Sequence, residues 1–276
     1  MTLSQELPKV LTVPGVQGRL ETNSFGKTLY LYPTIGSTNQ VAMELARRDV
    51  PEGTLVIAEL QTQGKGRLGR SWLSPPYLNL TFSLVLYPTV SPSDLTRLTL
   101  ASANALVEGI EEATGLHAGV KWPNDILLRG KKVAGLLLEL VAGSEGRASL
   151  ILGIGVNVNL LSNQWPEEIR AGAISLREVL GSSVDRERLL ALLLKHLERW
   201  YNVFLEGRYE LILSRWKGLS ETLGEEVRVV LPQGDVEGRA LDLTEEGALI
   251  LDLGNGERRI VFSGDVVHVR VVEEKV

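Results

Sequence analysis

Residues 64–70 read GKGRLGR, and two prolines, Pro75 and Pro76, stand within six residues of the end of that stretch. An apolar run, Leu55 to Ala58, leads in as a strand, and Leu78 to Leu86 (LNLTFSLVL) leads away as an alternating one. Glycines at 64, 66 and 69 let the backbone take positive φ and approach a ligand closely. Successive N–H groups in such a loop form an anion-binding concavity, and Lys65, Arg67 and Arg70 add charge for a carboxylate or polyphosphate. GKGRLG fits the dinucleotide pattern G-x-G-x-x-G. With Arg70-Ser71 it nearly fits the P-loop, except that Arg70 stands where lysine belongs. Either pattern must open into a helix, which Pro75 and Pro76 oppose. No acid follows about 20 residues on, as the dinucleotide pattern requires. The loop therefore joins two strands, and it either handles an anion or is a solvated basic turn.

Net charge is −5, so general attraction to nucleic acid is not expected and the basic loop is a local device. The absence of cysteine removes disulfides, thiolate catalysis and cysteine metal sites. Three histidines, His117, His196 and His268, lie too far apart in sequence to suggest a zinc site. No apolar run reaches the roughly 18 residues of a membrane helix, and the N-terminus lacks a signal-peptide pattern. A cytoplasmic protein with no membrane partner is expected.

Residues 1–27, with Pro8 and Pro14, read as an arm with a short helix, too short for a three-helix DNA-binding unit of about 11 residues per helix. Thr28 to Tyr32 reads as a strand closed by Pro33. Ser37-Thr38-Asn39 then precedes Val41, Ala42, Leu45 and Ala46 at helical spacing. These three polar residues either cap the helix or hydrogen-bond a polar ligand head. Ser91 to Thr114 reads as a long amphipathic helix, capped by Ser91 or Ser93 and ended by Gly115.

Val120 to Leu140 carries Trp122-Pro123-Asn124-Asp125 as a turn. A hairpin follows, with strands Ile126 to Leu128 and Val133 to Leu140 around Arg129-Gly130-Lys131. Lys132 is either an edge lysine or a ligand group. Gly135 is either a bulge or a place of close ligand approach. Leu150 to Leu160 is a third apolar strand, with Gly153, Gly155, Asn157 and Asn159. Residues 161–175 read as a mobile loop or lid. Asp185 to Leu205 and Tyr209 to Leu219 read as helices. From Gly224 five short runs (Glu226–Leu231, Val236–Leu243, Ala248–Leu253, Glu257–Val261, Val266–Val272), separated by turn signals, suggest a small barrel.

Ser37-Thr38-Asn39, Gln61 before GKGRLGRSW, then KWPND, then Lys-Val-Ala-Gly from Lys132, then GIGVN ending at Asn157 and a terminal barrel: in this order the chain resembles the biotin–protein ligases, also called biotin–[acetyl-CoA-carboxylase] ligases, from about Thr28 onward. The resemblance implies an α+β fold. A mixed sheet with packed helices, like class II aminoacyl-tRNA synthetases and biotin ligases, would span residues 28–223. A small SH3-like β-barrel would span 224–276, and 1–27 would form the arm.

It further implies that Ser37, Thr38, Asn39, Gln61, Lys65, Gly66 and Gly135 sit at the biotin site. Arg67 and Lys132 would bind both ligands and serve the chemistry. Gly64, Gly69, Arg70, Trp72, Asn124 and Asn157 would lie toward ATP and the adenylate, with Trp72 and Trp165 packing there. The spacing of Asp265 and Arg270 departs by one residue from the family pattern, so no roles are carried to them.

The implied reaction has two steps. Biotin carboxylate attacks the α-phosphorus of MgATP, giving biotinyl-5′-AMP and pyrophosphate. A lysine of a biotin carboxyl carrier protein then attacks the anhydride and releases AMP. ATP and Mg²⁺ are implied, with no protein ligands assigned to the metal. The resemblance points to the single-function form that does not bind DNA, and it makes a homodimer a possible assembly. The competing readings are a lipoate– or octanoate–protein ligase and a non-enzymatic sensor of biotin or nucleotide.

Overall fold

The computed structural model describes residues 9–89, 91, 94–141, 148–231, 233–254 and 256–268. The expectations placed on residues 1–8, Ser93, Pro232, Asn255, Arg270 and the end of the last strand lie outside them.

A seven-stranded mixed sheet positions everything else. Its strands are β1 (Leu29–Ile35), β2 (Leu55–Gln61), β3 (Leu80–Leu86), β4 (Gly119–Lys121), β5 (Asp125–Leu128), β6 (Lys131–Val141) and β7 (Ser149–Val156), in the order β1-β2-β3-β7-β6-β5-β4. The pair β1–β2 is parallel and the remaining pairs are antiparallel. Pro33 does not close β1, which runs two residues beyond it. β1 is an edge strand, where a residue lacking an N–H removes no ladder bond.

Side chains alternate across the sheet, and the two faces have different fates. One face carries Leu55, Ile57, Phe82, Leu84, Leu136, Leu152 and Ile154 against the long helices α3 (Asp94–Thr114) and α4 (Arg186–Leu205). The other carries Val56, Val85, Val141 and Ile151 under the short helix α2 (Thr38–Ala46). Because α2 has only nine residues, it covers part of that face and leaves the rest open. Gly115, at φ 72, ends α3, its N–H bonding Glu111 O at 2.8 Å. At the start of α3 the Ser91 N–H and hydroxyl both donate to the Asp94 carboxylate.

The last five strands, β8 (Glu226–Val230), β9 (Val236–Leu243), β10 (Leu249–Asp252), β11 (Arg258–Val261) and β12 (Asp265–His268), form an antiparallel sheet in the order β11-β10-β9-β8-β12. It joins the larger body through the turn between β9 and β10. There Trp122 Nε1 donates to Gly247 O at 3.0 Å. A Cβ on Gly247 would lie 2.8 Å from Leu100 Cδ1, so the turn comes as close as glycine permits.

The arm contains a five-residue helix, α1 (Val13–Gln17). Three acids hold the arm by accepting backbone N–H bonds: Glu59 from Leu11, Glu187 from Thr12, and Glu198 from Asn23, Ser24 and Phe25. Arg186 and Glu59 pair at 2.6 Å beneath it with both side chains buried.

Candidate active site

The floor is paved with glycine. Gly153 and Gly155 fall on the partly covered face of β7, and Gly155 is the cross-strand partner of Gly135 on β6. Each glycine is required by what lies on it. A Cβ on Gly153 would stand 2.2 Å from Asn39 Oδ1, and one on Gly155 would stand 2.1 Å from Trp72 Cε2. Gly135 is not a bulge. The register shift falls one strand turn earlier, where Ile126 pairs Ala134 but Leu127 pairs Lys132. A one-residue slip turns a side chain to the opposite face. The shift thus brings Lys132 onto the face of Asp125 and Leu127, where Lys132 Nζ meets Asp125 Oδ1 at 2.6 Å. The turn between β5 and β6 is Arg129-Gly130 alone, both residues with positive φ, and Lys131 already belongs to the strand.

The wall is the start of α2. Ser37 occupies the N-cap position, yet its side chain makes no cap bond. The side chain of Gln61, at the end of β2, substitutes: its Oε1 accepts the Thr38 N–H at 2.7 Å and lies 3.0 Å from Thr38 Oγ1. Asn39 Nδ2 donates to Glu139 at 2.5 Å. Of the two readings open for this triplet, capping by its own side chains does not hold for Ser37.

The loop 64–70 differs from an open nest of N–H groups. Gly66 N–H bonds Arg70 O, Arg70 N–H bonds Arg67 O, and Trp72 N–H bonds Gly64 O. These three donors are spent inside the loop, and Lys65 and Arg67 bring side-chain charge to the cavity. Positive φ occurs at Leu68 and Gly69 rather than at Gly64 or Gly66. Gly64 is needed for space, since its Cβ would meet Trp72 O at 2.6 Å.

Arg67 Nη1 donates to Asn124 Oδ1 at 3.0 Å and to Gly264 O, in the C-terminal sheet, at 3.2 Å. Burial pulls its pKa below the ordinary value, while the charges of Asp125 and Asp265 pull it back up; guanidinium stays charged throughout. Asn124 is itself fixed by donating to Leu136 O at 2.7 Å. Arg70, largely exposed, pairs with Asp265 at 2.5 Å.

One cavity of about 50 Å³ is lined by Ser37, Thr38, Asn39, Gln61, Lys65, Gly66, Arg67, Trp72, Asn124, Lys132 and Gly135, with Gly153 and Gly155 beneath. A second, of about 320 Å³, lies beyond Trp72 and Lys132 and is lined by Asn157, Trp165, Glu168 and Ile169 among others. Gly64, Gly69, Arg70 and Asn157 are not on the first cavity. Asn157 donates to Lys132 O at 3.2 Å and so fixes the backbone of that lysine. The Trp72 ring partitions the two spaces, its Nε1 buried without a hydrogen-bond partner and Lys132 Nζ 5.5 Å from the ring centre.

The segment 161–175 is anchored to the sheet at Lys132. Lys132 N–H donates to Gly172 O and Ile174 N–H to Lys132 O, at 2.8 and 3.0 Å. Trp165 is buried and donates to Glu178.

Sequence reasoning passed over Asp125, Ser83, Glu139 and Gly264. Glu139 had a signal: it is the one acid inside the apolar run Leu136 to Leu140. Gly264 had none, because its carbonyl reaches Arg67 only through tertiary structure. Among the described residues no group of three or more His, Cys, Asp or Glu could hold a metal ion, and no helix is long and apolar enough to cross a membrane.

Residues 31–159 match the Biotin/lipoate A/B protein ligase family, and residues 222–269 match the Biotin protein ligase C terminal domain. The chain is 36% identical to the bifunctional ligase/repressor BirA of Bacillus subtilis (strain 168) over 94% of its own length and 79% of the relative's. It is 35% identical to the biotin–[acetyl-CoA-carboxylase] ligase of Mycobacterium tuberculosis (strain ATCC 25618 / H37Rv), covering 85% of this chain and 86% of that one. A solved structure of biotin protein ligase from Aquifex aeolicus in complex with biotin and ATP superposes with a TM-score of 0.77 at 34% identity, covering 89% of this chain and all of that one.

Proposed function

This chain belongs to the biotin protein ligase family; it activates biotin with ATP for transfer to a carboxylase, and on that premise we propose how its residues divide the work. The observation that carries the proposal is the convergence of Arg67 and Lys132 on the same small cavity as Thr38, Asn39 and Gln61.

The ring system of biotin, with its cyclic urea, lies toward Thr38, Asn39 and Gln61 over the glycine floor. The carboxylate points to Lys132 and Arg67. In the first step a carboxylate oxygen forms a bond to the α-phosphorus, and the bond to pyrophosphate breaks. Two anions meet there, so cations fixed beforehand by Asp125 and Asn124 stabilise the charge that develops. Lys65, Gly66 and Gly135 line the acid's side. Gly64, Gly69, Arg70, Trp72, Asn124 and Asn157 serve the nucleotide side. Magnesium arrives on ATP, and because Mg²⁺ leans on phosphates and waters, no protein cage is needed. In the second step an acceptor lysine amine attacks the acyl carbon, AMP leaves, and the amine loses its proton.

The acceptor is a biotin carboxyl carrier protein, and the reaction runs in the cytoplasm, where ATP is available. Residues 28–223 act as the catalytic unit, 224–276 as the barrel and 1–27 as the arm. The net charge of −5 supports a chain that does not bind DNA. The outer side of β1, which pairs with no other strand among the described residues, supports homodimerisation at a sheet edge.

Incubation with biotin, MgATP and an acceptor domain tests the proposal. The expected product is one biotinyl-lysine per acceptor by mass spectrometry. An unmodified acceptor with intact, folded ligase would refute it.

A further inference from the structure

Resting on that reading, the structure assigns a positioning role to Glu139 and Ser83, and through them a specificity for N–H donors in the acid's ring. Four oxygen atoms form a line at the closed end of the cavity. Gln61 Oε1 lies 3.0 Å from Thr38 Oγ1, Thr38 Oγ1 lies 2.7 Å from Ser83 Oγ, and Ser83 Oγ lies 2.5 Å from Asn39 Oδ1. Three oxygen–oxygen contacts each need a proton, but only the two hydroxyls bring one. Gln61 cannot supply the third, because its Oε1 is fixed by the Thr38 N–H at 2.7 Å.

Asn39 could supply it by turning its amide over. Nδ2 would then donate to Ser83, Ser83 to Thr38 and Thr38 to Gln61, and the line would be complete. Glu139 prevents that turn. Its carboxylate only accepts, and it holds Asn39 Nδ2 at 2.5 Å. Glu139 thus leaves the cluster one proton short. One of the three contacts then sets two buried oxygen lone pairs against each other, which is costly, so the site favours a ligand whose N–H donors engage them. A cyclic urea has two; a dithiolane or a plain alkyl chain has none. Ser83 lies beneath the cavity, fully buried, and touches the ligand only through Thr38 and Asn39.

The test uses the full chain and pyrophosphate release from MgATP, with biotin and octanoate as acids. Glu139→Leu frees the Asn39 amide. The expected result is a biotin KM raised about tenfold with kcat within about twofold, because the carboxylate end at Lys132 is untouched. Discrimination against octanoate falls with it. Glu139→Gln, whose amide donates as well as accepts, no longer fixes the Asn39 amide and is expected to shift the biotin KM in the same direction. A Glu139→Leu protein with the parent's biotin KM and discrimination, or one that loses kcat for both acids alike, overturns the assignment. If Glu139→Leu does not fold, Ser83→Ala removes one of the two hydroxyls, and an unchanged biotin KM in that variant overturns it equally. A parent enzyme inactive with biotin would instead refute the functional reading, so the two failures are distinguishable.

Discussion

Lys132 and Asp125 form an ion pair at 2.6 Å because one strand slips by one residue against its neighbour. With regular pairing Lys132 would face α3; with the shift it faces the cavity. The pair holds the ammonium in place before a ligand arrives. Replacing Lys132 with alanine is predicted to slow biotin-dependent pyrophosphate release by about 10²–10³-fold, the range for loss of one transition-state donor. The lysine is partly exposed, so the thermal midpoint should stay close to the parent's. Unchanged turnover would remove Lys132 from the chemistry.

Arg67 ties the loop to both Asn124 and the C-terminal sheet. Arg67→Gly is predicted to weaken biotin binding by roughly 10–100-fold, as loss of charge-assisted bonds does, and to release adenylate into solution before transfer. Quantifying free adenylate by chromatography checks this. Asp265→Ala removes the ion-pair partner of Arg70 and one of the two carboxylate charges acting on Arg67. Arg70 is largely exposed, and exposed pairs contribute about 0–1 kcal/mol, so a change of less than about fivefold is expected.

Trp72 sits against Gly155 and limits the adjoining cavity to about 50 Å³. Ligand sites usually occupy about 300–1,000 Å³, and the indole is predicted to shift when biotin enters. Titration with biotin should change the intrinsic fluorescence, and Trp72→Phe should abolish most of that change despite the other four tryptophans. An equal change in Trp72→Phe would show that the ring stays where it is.

Glu108, on α3, is raised by burial but held down more strongly by His196 close by, by the hydrogen bond from Trp200 and by the charges of Arg199 and Arg215, to a pKa of about 2. A depressed carboxyl contributes stability above its unfolded pKa near 4.5, and that stability is lost as pH falls through the folded value. Because Arg199 and Arg215 are open to solvent, which screens their charge, the contribution at neutral pH is about 1–2 kcal/mol. Unfolding midpoints should therefore fall between about pH 4.5 and pH 2, and Glu108→Gln should flatten that decline. An equally steep acid limb in the variant would exclude Glu108 as its source.

Among the cavity-lining residues, the motif order in the sequence already singles out Lys132, Arg67, Gln61, Ser37-Thr38-Asn39 and Asn124. The long helices were legible too, since their periodicity spans 20 residues or more. What sequence concealed depends on distant segments meeting. The face onto which Lys132 turns follows from a strand slip, and spacing alone does not reveal it. The loop reads as an open nest because its internal bonds from Gly66, Arg70 and Trp72 leave no trace in composition. Pro33 reads as a strand end until the topology places β1 at the edge. Glu139 and Ser83 are unremarkable in sequence, and only the line of oxygen atoms between them and Gln61 gives them meaning.

The most direct measurement is pyrophosphate release from MgATP with biotin, lipoate or octanoate as the acid. Release with biotin, and little with the other two, is the predicted result. Release with lipoate or octanoate in preference to biotin, or tight biotin binding with no release at all, would contradict the account.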